Sequence, residues 1–306
     1  STWGDLGAIE NTLNMADLSL YTYQTWYADT AGVDSSADGS ITDPFGTIQH
    51  AADYALYTDE VMMNAGTYNQ DFTNRGKNII FRSSNDPSEV TINGVAKMDG
   101  GSPQLSWLTF SGAGAEIEAL DSDVNIYNVE ISSVGDGSDA ALDVSGGNPV
   151  LYQVTFADNS DDAIHVADSA NVTAHNIAFY STGSHWESED GSTISVTYSL
   201  TDSSGTGNIA VDPGFLGVDN YKLAASSLLI NAGDIANTDA DGSRSDIGAY
   251  SYNNDFNGPI WYVTTAGDDT SGTGSNDSPF ASVQAAINFA TTAGDSIAVG
   301  SGTFTE

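Results

Sequence analysis

The 306-residue chain contains no cysteine and only six lysine and arginine residues. The absence of cysteine excludes disulfide bridges and thiolate chemistry. Because 42 acidic residues face so few basic ones, the net charge is −36, which repels nucleic-acid backbones and anionic lipid surfaces. No apolar run approaches the length of a membrane-spanning helix. We therefore expect neither nucleic-acid binding nor membrane insertion.

The acidic residues are unevenly divided, with 33 aspartates and 9 glutamates. Aspartate is the carboxylate of turns and of metal loops with oxygen ligands. The chain also holds 10% aromatic residues and many β-branched ones, a composition that predicts folding rather than disorder. Many aspartates and few lysines are typical of a salt-exposed, calcium-rich exterior. The composition therefore favours an extracellular or cell-surface location.

The chain repeats itself on a long scale. Trp26-Tyr27 aligns with Trp261-Tyr262 without a gap for twenty residues, and Asp5-Leu6-Gly7-Ala8 aligns with Asp246-Ile247-Gly248-Ala249. Repetition at a spacing of 235 to 241 residues indicates a modular protein. The predicted organisation is the tail of a preceding module (1–10), a linker (11–25), a complete module (26–252), a second linker (253–260) and the incomplete head of a following module (261–306).

A shorter period runs through the complete module. Pairs of apolar residues on alternating stretches recur at spacings of 21, 25, 23 and 21 residues: Leu108/Phe110, Val129/Ile131, Val154/Phe156, Ile177/Phe179 and Tyr198/Leu200. Alternation at period two indicates strands with one buried face. Three short strands in each coil of a little over twenty residues predict an all-β fold, a parallel β-helix.

Each module head contains one candidate helix. In residues 43–55, Asp43 suits an N-cap, Pro44 suits the first helical position, and Phe45, Ile48 and Ala52 lie on one apolar stripe. The second head repeats this arrangement in residues 278–290. A β-helix leaves the backbone of its first coil unpaired, so we expect a short N-terminal capping helix that covers it.

The motifs of the two module ends resemble one known family. The heads contain Trp261-Tyr262-Val263 and Pro279-Phe280, and the module closes with Asp212-Pro213-Gly214-Phe215 and with an Asp-x-Asp-Gly run that ends in Asp246-Ile247-Gly248-Ala249-Tyr250. In these features the chain is similar to secreted right-handed parallel β-helix proteins of the pectate-lyase-like superfold, and most of all to bacterial surface proteins of adhesin type. The resemblance implies a right-handed solenoid. It implies little about function, because this superfold hosts lyases, hydrolases, adhesins and structural domains.

Pectinase chemistry is disfavoured by what the resemblance would require. Polygalacturonase-like enzymes carry a Gly-His-Gly loop and an Arg-x-Lys pair, and this sequence has neither. Pectate-lyase-like enzymes use a basic residue beside calcium, but none of the six basic residues lies in the central coils 105–200. An anionic polysaccharide would be repelled by a wall of aspartates without a basic partner.

Hydrolysis of neutral glycans remains the alternative, because two suitably spaced carboxylates suffice. Asp136 and Asp139 occupy one turn, and Asp161 and Asp162 occupy the equivalent turn of the next coil. These four residues are the candidate catalytic ridge, although a row of solvated turns explains them better, because acidic turns are the default on an acidic protein. Trp186 is a candidate for stacking on a bound sugar, with packing on its own coil as the alternative.

Calcium is the predicted cofactor. Asp239, Asp241 and Asp246 place oxygen ligands around a tight glycine turn, as a hard cation requires. Arg244 in the same loop offers an alternative, in which the guanidinium neutralises the aspartates. Asp268 and Asp269 form a second candidate metal site, with a cluster of Asx-turns as its alternative.

These features together favour a non-catalytic extracellular structural protein, a tandem or head-to-tail array of β-helical modules in a filament, sheath or adhesin stalk. Stacked coils form a stiff rod, and contacts between identical modules propagate. The expected partners are copies of the chain or adjacent modules, together with extracellular glycans. A carbohydrate-active enzyme and a glycan-binding adhesin remain the rival hypotheses.

Overall fold

The computed structural model describes residues 22–135 and 140–304. The predicted module tail at 1–10 and most of the first linker lie outside the described residues, and so do Asp136, Asp139 and the last two residues of the chain. Within the described part the chain is built mainly from short β-strands, with two short α-helices.

Strands account for most of the regular structure. In chain order they are β1 (Thr25–Ala28), β2 (Glu60–Met63), β3 (Gly66–Tyr68), β4 (Phe72–Thr73), β5 (Ile80–Arg82), β6 (Val90–Ile92), β7 (Val95–Asp99), β8 (Gln104–Ser111), β9 (Glu116–Leu120), β10 (Asn125–Ser132), β11 (Ala140–Ser145), β12 (Val150–Ala157), β13 (Asp162–Ala167), β14 (Asn171–His175), β15 (Ala178–Tyr180), β16 (Trp186–Ser188), β17 (Thr193–Thr197), β18 (Phe215–Gly217), β19 (Asn220–Leu223), β20 (Ile260–Val263) and β21 (Ser296–Val299). The helices are α1 (Ile48–Tyr54) and α2 (Val283–Phe289), with a 3-10 turn at Pro87–Glu89.

Most strands stack in two long parallel sheets. One sheet follows the order β1-β2-β5-β8-β10-β12-β14-β17, with β3, β6 and β15 attached beside this path, and the other follows β4-β7-β9-β11-β13-β16. Neighbours in the central part of each sheet are one coil apart in the chain. The chain therefore winds as a β-solenoid, and the predicted all-β solenoid is confirmed.

The register of the central coils agrees with the sequence pattern. Leu108 pairs with Val129, Val129 pairs with Val154, and Phe156 pairs with Phe179, at the predicted spacings of 21, 25 and 23 residues. The predicted last spacing of 21 is wrong by one residue, because Leu200 is bridged to Ala178. The alternation of apolar residues does not show this shift, because it does not mark where each coil bends. The bends of these two coils have a different spacing from the apolar pairs.

Those bends are residues in the left-handed backbone conformation. One such residue recurs in each successive coil, with φ between 51° and 59°, at Trp107, Asn128, Gln153, Asn176 and Tyr198. A left-handed residue breaks the extended chain, so it divides the strand region of the coil in two. The coils of β2–β4, β5–β7 and β14–β16 carry three separate strands, as predicted, whereas in β8, β10 and β12 the bend lies inside one eight-residue strand and interrupts only its pairing.

The solenoid interior is filled by side chains that stack from coil to coil. Phe110, Ile131 and Phe156 occupy one such column and are fully buried. The rings of Phe156 and Phe179 continue it, stacked with 5.5 Å between centroids. Burying one such side chain contributes roughly 1.5–3 kcal/mol. The columns form one apolar cluster that extends from Ala28 to Val196.

Helix α1 begins later than predicted. Its N-cap is Thr47, whose Oγ1 accepts a hydrogen bond from the His50 N–H, so the predicted cap at Asp43 is wrong. Phe45 is extended, because its N–H donates to the Tyr27 carbonyl and its carbonyl accepts from Asp29. This pairing with β1 prevents the chain from becoming helical before residue 48.

The second head shows the same correction. Helix α2 begins after an N-cap at Ser282 rather than at Ser278. Phe280 is bridged to Val263 and exchanges hydrogen bonds with the β20 backbone, as Phe45 does with β1. Pro279 therefore precedes a short extended stretch and does not open the helix.

After the last coil the chain returns along the flank of the solenoid. Residues 223–256, which we call the closing segment, follow the antiparallel pair β18–β19. Bend residues hold this segment: the Asn176 side chain donates to Ser245 Oγ at 3.1 Å and accepts from the Asp234 N–H at 2.7 Å. The Ala249 N–H donates to Thr155 Oγ1 at 2.9 Å.

Candidate functional site

The closing segment ends in a contact with the second head, residues 260–304, and we call this contact the module junction. The Tyr252 ring packs on Phe289 with 5.3 Å between centroids, and Phe256 packs edge-on to Trp261 at 5.0 Å. Trp261 and Phe289 are buried. The junction is therefore an apolar interface with aromatic side chains on both sides.

Hydrogen bonds to main-chain carbonyl groups of the second head fix the junction. The Ala225 N–H donates to the Asp269 carbonyl at 2.7 Å, and Tyr252 Oη donates to the Gly272 carbonyl at 2.8 Å. The Asn254 amide donates to the Thr273 carbonyl at 3.1 Å. Because directional bonds accompany the apolar contact, they define how the head is oriented on the closing segment.

Helix α2 adds contacts in the opposite direction. The side-chain amide of Asn288 donates to the carbonyl groups of Ala225 and Ser227, both at 2.8 Å, and the Asn288 carbonyl accepts from the Asn231 amide at 3.1 Å. One asparagine therefore satisfies three polar groups across the junction.

The three aspartates of the predicted calcium loop lie in the closing segment, where protein groups already bind them. Both Asp241 oxygens accept main-chain N–H bonds, from Ser243 at 2.9 Å and Asn254 at 3.0 Å. Both Asp246 oxygens accept N–H bonds at 2.7 Å, from Asn231 and Tyr252.

Asp239 is bound in the same way. Its Oδ1 accepts from the Gln153 side-chain amide at 3.0 Å and from Ser251 Oγ at 2.8 Å, and its Oδ2 accepts from the Asp246 N–H at 2.8 Å. Every carboxylate oxygen of the loop therefore has a protein donor.

The electrostatics of the loop reflect burial of several negative charges. Burial, reinforced by the charge of Asp239, raises the pKa of Asp246 well above its usual value. Burial also raises the pKa of Asp239. For Asp241 burial acts in the same direction, but hydrogen bonds from Ser243 and Asn254 outweigh it and lower the pKa. A bound cation would reduce the repulsion between these carboxylates, but their oxygens already accept hydrogen bonds from N–H and O–H donors.

A metal centre does not follow from the described geometry. Among residues 22–135 and 140–304, no group of three or more histidine, aspartate or glutamate side chains is arranged to hold a metal ion. As arranged, the loop aspartates fit their role as acceptors for the closing segment better than they fit a cation, and calcium binding stays a prediction.

The second predicted metal pair, Asp268 and Asp269, accepts hydrogen bonds from nearby groups of the same head. Asp269 Oδ1 accepts the N–H groups of Ala281 and Ser282 at the start of α2, at 2.8 and 3.2 Å. Asp268 accepts from Ser271 Oγ at 2.6 Å and from the Thr270 N–H at 2.8 Å, and these bonds lower its pKa. The pair has the hydrogen bonding of the Asx-turn alternative.

The predicted catalytic ridge is only partly described. Asp162 Oδ1 accepts the Ser184 N–H at 2.6 Å, while Asp161 Oδ2 is a buried oxygen without a hydrogen-bond partner in the part of the chain that the structure describes. Asp136 and Asp139 lie outside the described residues. The ridge stays a prediction.

Trp186 lies at the solenoid wall. It pairs with Ile164 in the neighbouring coil, and its ring packs on Phe179 with 5.7 Å between centroids. The side chain is half-buried and packs against the main apolar cluster. This position matches the packing alternative, and sugar stacking on the remaining surface stays a prediction.

One buried acid, Glu130, carries no recognisable signal in the sequence. Glu130 Oε2 accepts from Tyr250 Oη and its Oε1 accepts from Ser132 Oγ, both at 2.6 Å. Burial raises the pKa of Glu130. The carboxyl lines a cavity of about 420 Å³ together with Asp219 and Lys222. In the sequence Glu130 is a polar residue between Val129 and Ile131, as expected at an outward-facing strand position. Its burial becomes visible only when the closing segment returns beside it.

A larger cavity of about 880 Å³ lies between the bend residues and the closing segment. Trp107, the amides of Asn128 and Gln153, and Lys222 line it together with Tyr250. The combination of an aromatic face with amide groups is the chemistry that sugar binding uses.

None of the described helices is both long and apolar enough to span a membrane. Comparison of the chain with protein-family models, with characterised proteins and with solved structures gives no match.

Proposed function

We propose that this chain is a non-catalytic structural protein of the cell exterior, in which β-solenoid modules join head to tail in a filament, sheath or adhesin stalk. The proposal includes the finer assignment to right-handed β-helices of the pectate-lyase-like, adhesin type, which the motifs of the two module ends support.

The module junction is the observation that carries the proposal. A single apolar cluster contains Leu229 and Ile247 of the closing segment together with Trp261, Phe280 and Phe289 of the second head. A head that shares a core with the preceding module is held as a continuation of the rod and not as a bead on a flexible linker. Such joints give stiffness along the array.

The polar groups of the closing segment support the same role. Asp239 and Asp246 accept main-chain N–H groups of the closing segment itself, and Asp269 accepts N–H groups at the start of α2. These carboxylates stabilise irregular backbone at the junction. An extracellular location agrees with the net charge of −36.

Electron microscopy of the native material tests the proposal. We expect negatively stained preparations to contain linear assemblies whose repeat equals one module. A population of isolated particles under native salt and calcium concentrations would contradict it.

Action on glycans, or glycan binding without turnover, is the second candidate, and one observation favours it. The cavity beside Trp107 adjoins Glu130, whose raised pKa is the property of a general acid. Turnover on a panel of neutral and acidic glycans that is lost in Glu130→Gln or Asp161→Asn would establish an enzyme. Saturable sugar binding that is lost in Trp107→Ala or Trp186→Ala, without turnover, would establish an adhesin.

A further inference from the structure

The first head, residues 25–63, is built like the second. Trp26 stacks on Phe45 at 6.2 Å, as Trp261 stacks on Phe280 at 6.3 Å. Asp34 Oδ1 accepts the N–H groups of residues 46 and 47, as Asp269 accepts those of residues 281 and 282. The two heads therefore present equivalent surfaces.

Among the residues that the structure describes, only the surface of the second head is covered by another segment. In the second head Phe289 is 9% exposed, because the closing segment packs on it, whereas Tyr54 at the equivalent position of the first head is 53% exposed. Leu56 and Tyr57, next to Tyr54, are exposed as well. Adjacent exposed apolar side chains are typical of an interaction surface.

The polar part of the surface also differs between the two heads within the described part of the chain. At the junction the carbonyl groups of residues 269, 272 and 273 accept hydrogen bonds from the closing segment. The corresponding carbonyl groups are those of Asp34, Ala37 and Asp38, and no donor to them occurs within residues 22–135 and 140–304. We call Trp26, Tyr54 and these three carbonyl groups the open face.

We propose that the open face binds the closing segment of a second copy of this chain. The second head shows the occupant, since residues 223–256 cover the same aromatic pair and the same three carbonyl groups there. This inference rests on the proposed head-to-tail function and names its interface. Tyr252 of the incoming segment packs on Tyr54, and its hydroxyl donates to the Ala37 carbonyl.

One contact of the open face differs in chemistry from its counterpart. Asp53 stands where Asn288 donates to two carbonyl groups of the closing segment, and a carboxylate cannot donate. Arg75 Nε lies 2.8 Å from Asp53 Oδ1, and its side chain is 57% exposed. The guanidinium brings the missing N–H donors to the same place, so Arg75 replaces Asn288 in this interface.

In an isolated chain the closing segment already packs against the second head of the same chain. The second head is tethered to the closing segment, so it competes with a second chain at an effective concentration of roughly millimolar. Exchange between chains is therefore slow. A direct test therefore supplies the closing segment separately. The probe is a synthetic peptide of residues 223–256 with a terminal fluorophore, titrated against the full 306-residue chain and followed by fluorescence anisotropy.

We expect saturable binding of this peptide to the parent chain. Tyr54→Asp places a charge in the centre of the open face and should weaken binding by about tenfold or more, as the loss of a central aromatic contact does. Val218→Asp is the matched control, because Val218 is 88% exposed on the β18–β19 turn and belongs neither to the open face nor to the peptide. Equal binding by Tyr54→Asp and the control would overturn the proposal.

A second experiment uses the chain alone. Phe289→Asp should release the second head from the closing segment, which then becomes available to the open face of another copy. We expect sedimentation velocity to show species that grow with concentration, and we expect them to vanish in the double variant Phe289→Asp/Tyr54→Asp. Growth that persists in the double variant, or no growth at all, would contradict the assignment.

The two proposals fail differently. Linear assemblies in microscopy together with no peptide binding would leave the structural function standing and remove the open face as its interface. Peptide binding that requires prior removal of residues 1–21 would mean that the chain's own N-terminal segment occupies the open face, which also overturns the assignment to a second copy.

Discussion

The indole N–H of Trp26 donates to Asp59 Oδ2 at 3.1 Å, and the equivalent pair in the second head, Trp261 and Asp295, has the same bond at 3.2 Å. Asp59 is fully buried and also accepts the N–H groups of Gln24 and Leu56, both at 2.8 Å. One carboxylate therefore ties β1 to the turn that follows α1. The recurrence of this pair makes it a defining contact of the head.

Loss of the Asp59 carboxylate should destabilise the first head. Asp59→Ala leaves three partly buried N–H groups without their carboxylate acceptor, and we expect it to lower the free energy of unfolding by about 2 kcal/mol. Urea denaturation followed by circular dichroism measures this. Asp277→Ala, at an exposed position, should change the stability by less than about 0.5 kcal/mol. A similar small effect for Asp59→Ala would show that the head contributes little to the cooperative unit.

The true start of α1 can be tested by comparing its two candidate caps. Thr47→Ala removes the cap of the His50 N–H and the hydrogen bond to Asp34 Oδ2, so we expect a loss of about 1–2 kcal/mol. Asp43→Ala should be nearly neutral, because Asp43 is exposed and lies before the helix. Melting temperatures of the two variants decide between the caps, and the reverse order would restore the helix start predicted from the sequence.

Glu130 should make the folded chain more stable at mildly acid pH than at neutral pH. Because burial raises its pKa in the folded state, the folded chain holds a proton that the unfolded chain has released, starting near the ordinary value of 4.5. The stability that this group contributes is therefore complete below that pH and is lost as pH rises toward the folded pKa. Asp219, Lys222 and Tyr250 are the titratable groups that face it.

Glu130→Gln isolates this effect, because the amide stays neutral and can still bond both hydroxyl groups. Relative to the parent, we expect the variant to gain stability between about pH 5 and pH 7 in urea denaturation. Glu189→Gln, at an exposed position, should follow the parent at both pH values. A parallel pH dependence of Glu130→Gln and the parent would show that the carboxyl is ionised throughout this range.

The calcium prediction requires a rise in melting temperature when millimolar Ca²⁺ is added to chelator-treated protein. If Asp239, Asp241 and Asp246 bind the ion in the folded state alone, binding raises the free energy of unfolding by about 2.7 kcal/mol at a calcium concentration one hundred times Kd. The rise should be absent in Asp241→Ala and retained in Asp212→Ala, which changes an exposed aspartate before the closing segment. Equal melting curves with and without calcium would leave the loop aspartates as hydrogen-bond acceptors only.

The repeating parts of this protein were predictable because each coil meets the same requirement. Leu108, Val129 and Val154 must face the interior at successive levels of the solenoid, so apolar alternation recurs at the coil length. The heads were recognisable for a similar reason, since the Trp-Phe stack needs both aromatic residues each time. The helix start was misplaced because Pro44 is compatible with a helix, while the pairing of Phe45 with β1 is a tertiary contact.

The contacts of the candidate site residues could not be predicted from the sequence. Asp239, Asp241 and Asp246 have the spacing of a cation loop, and only the folded chain shows that main-chain N–H groups of the closing segment reach their oxygens. Glu130 and Tyr250 are 120 residues apart and meet through the return of the chain along the solenoid flank. No local pattern marks such a pair.

The sequence by itself determined the solenoid, the length of most coils and the duplication of the heads, because periodic burial leaves a periodic trace in the order of residues. Tertiary structure alone decided that, among the described residues, the second head is covered while Tyr54 of the first head is exposed. Tyr54 and Phe289 occupy equivalent positions in the repeat, and they differ in exposure because the closing segment packs only against Phe289.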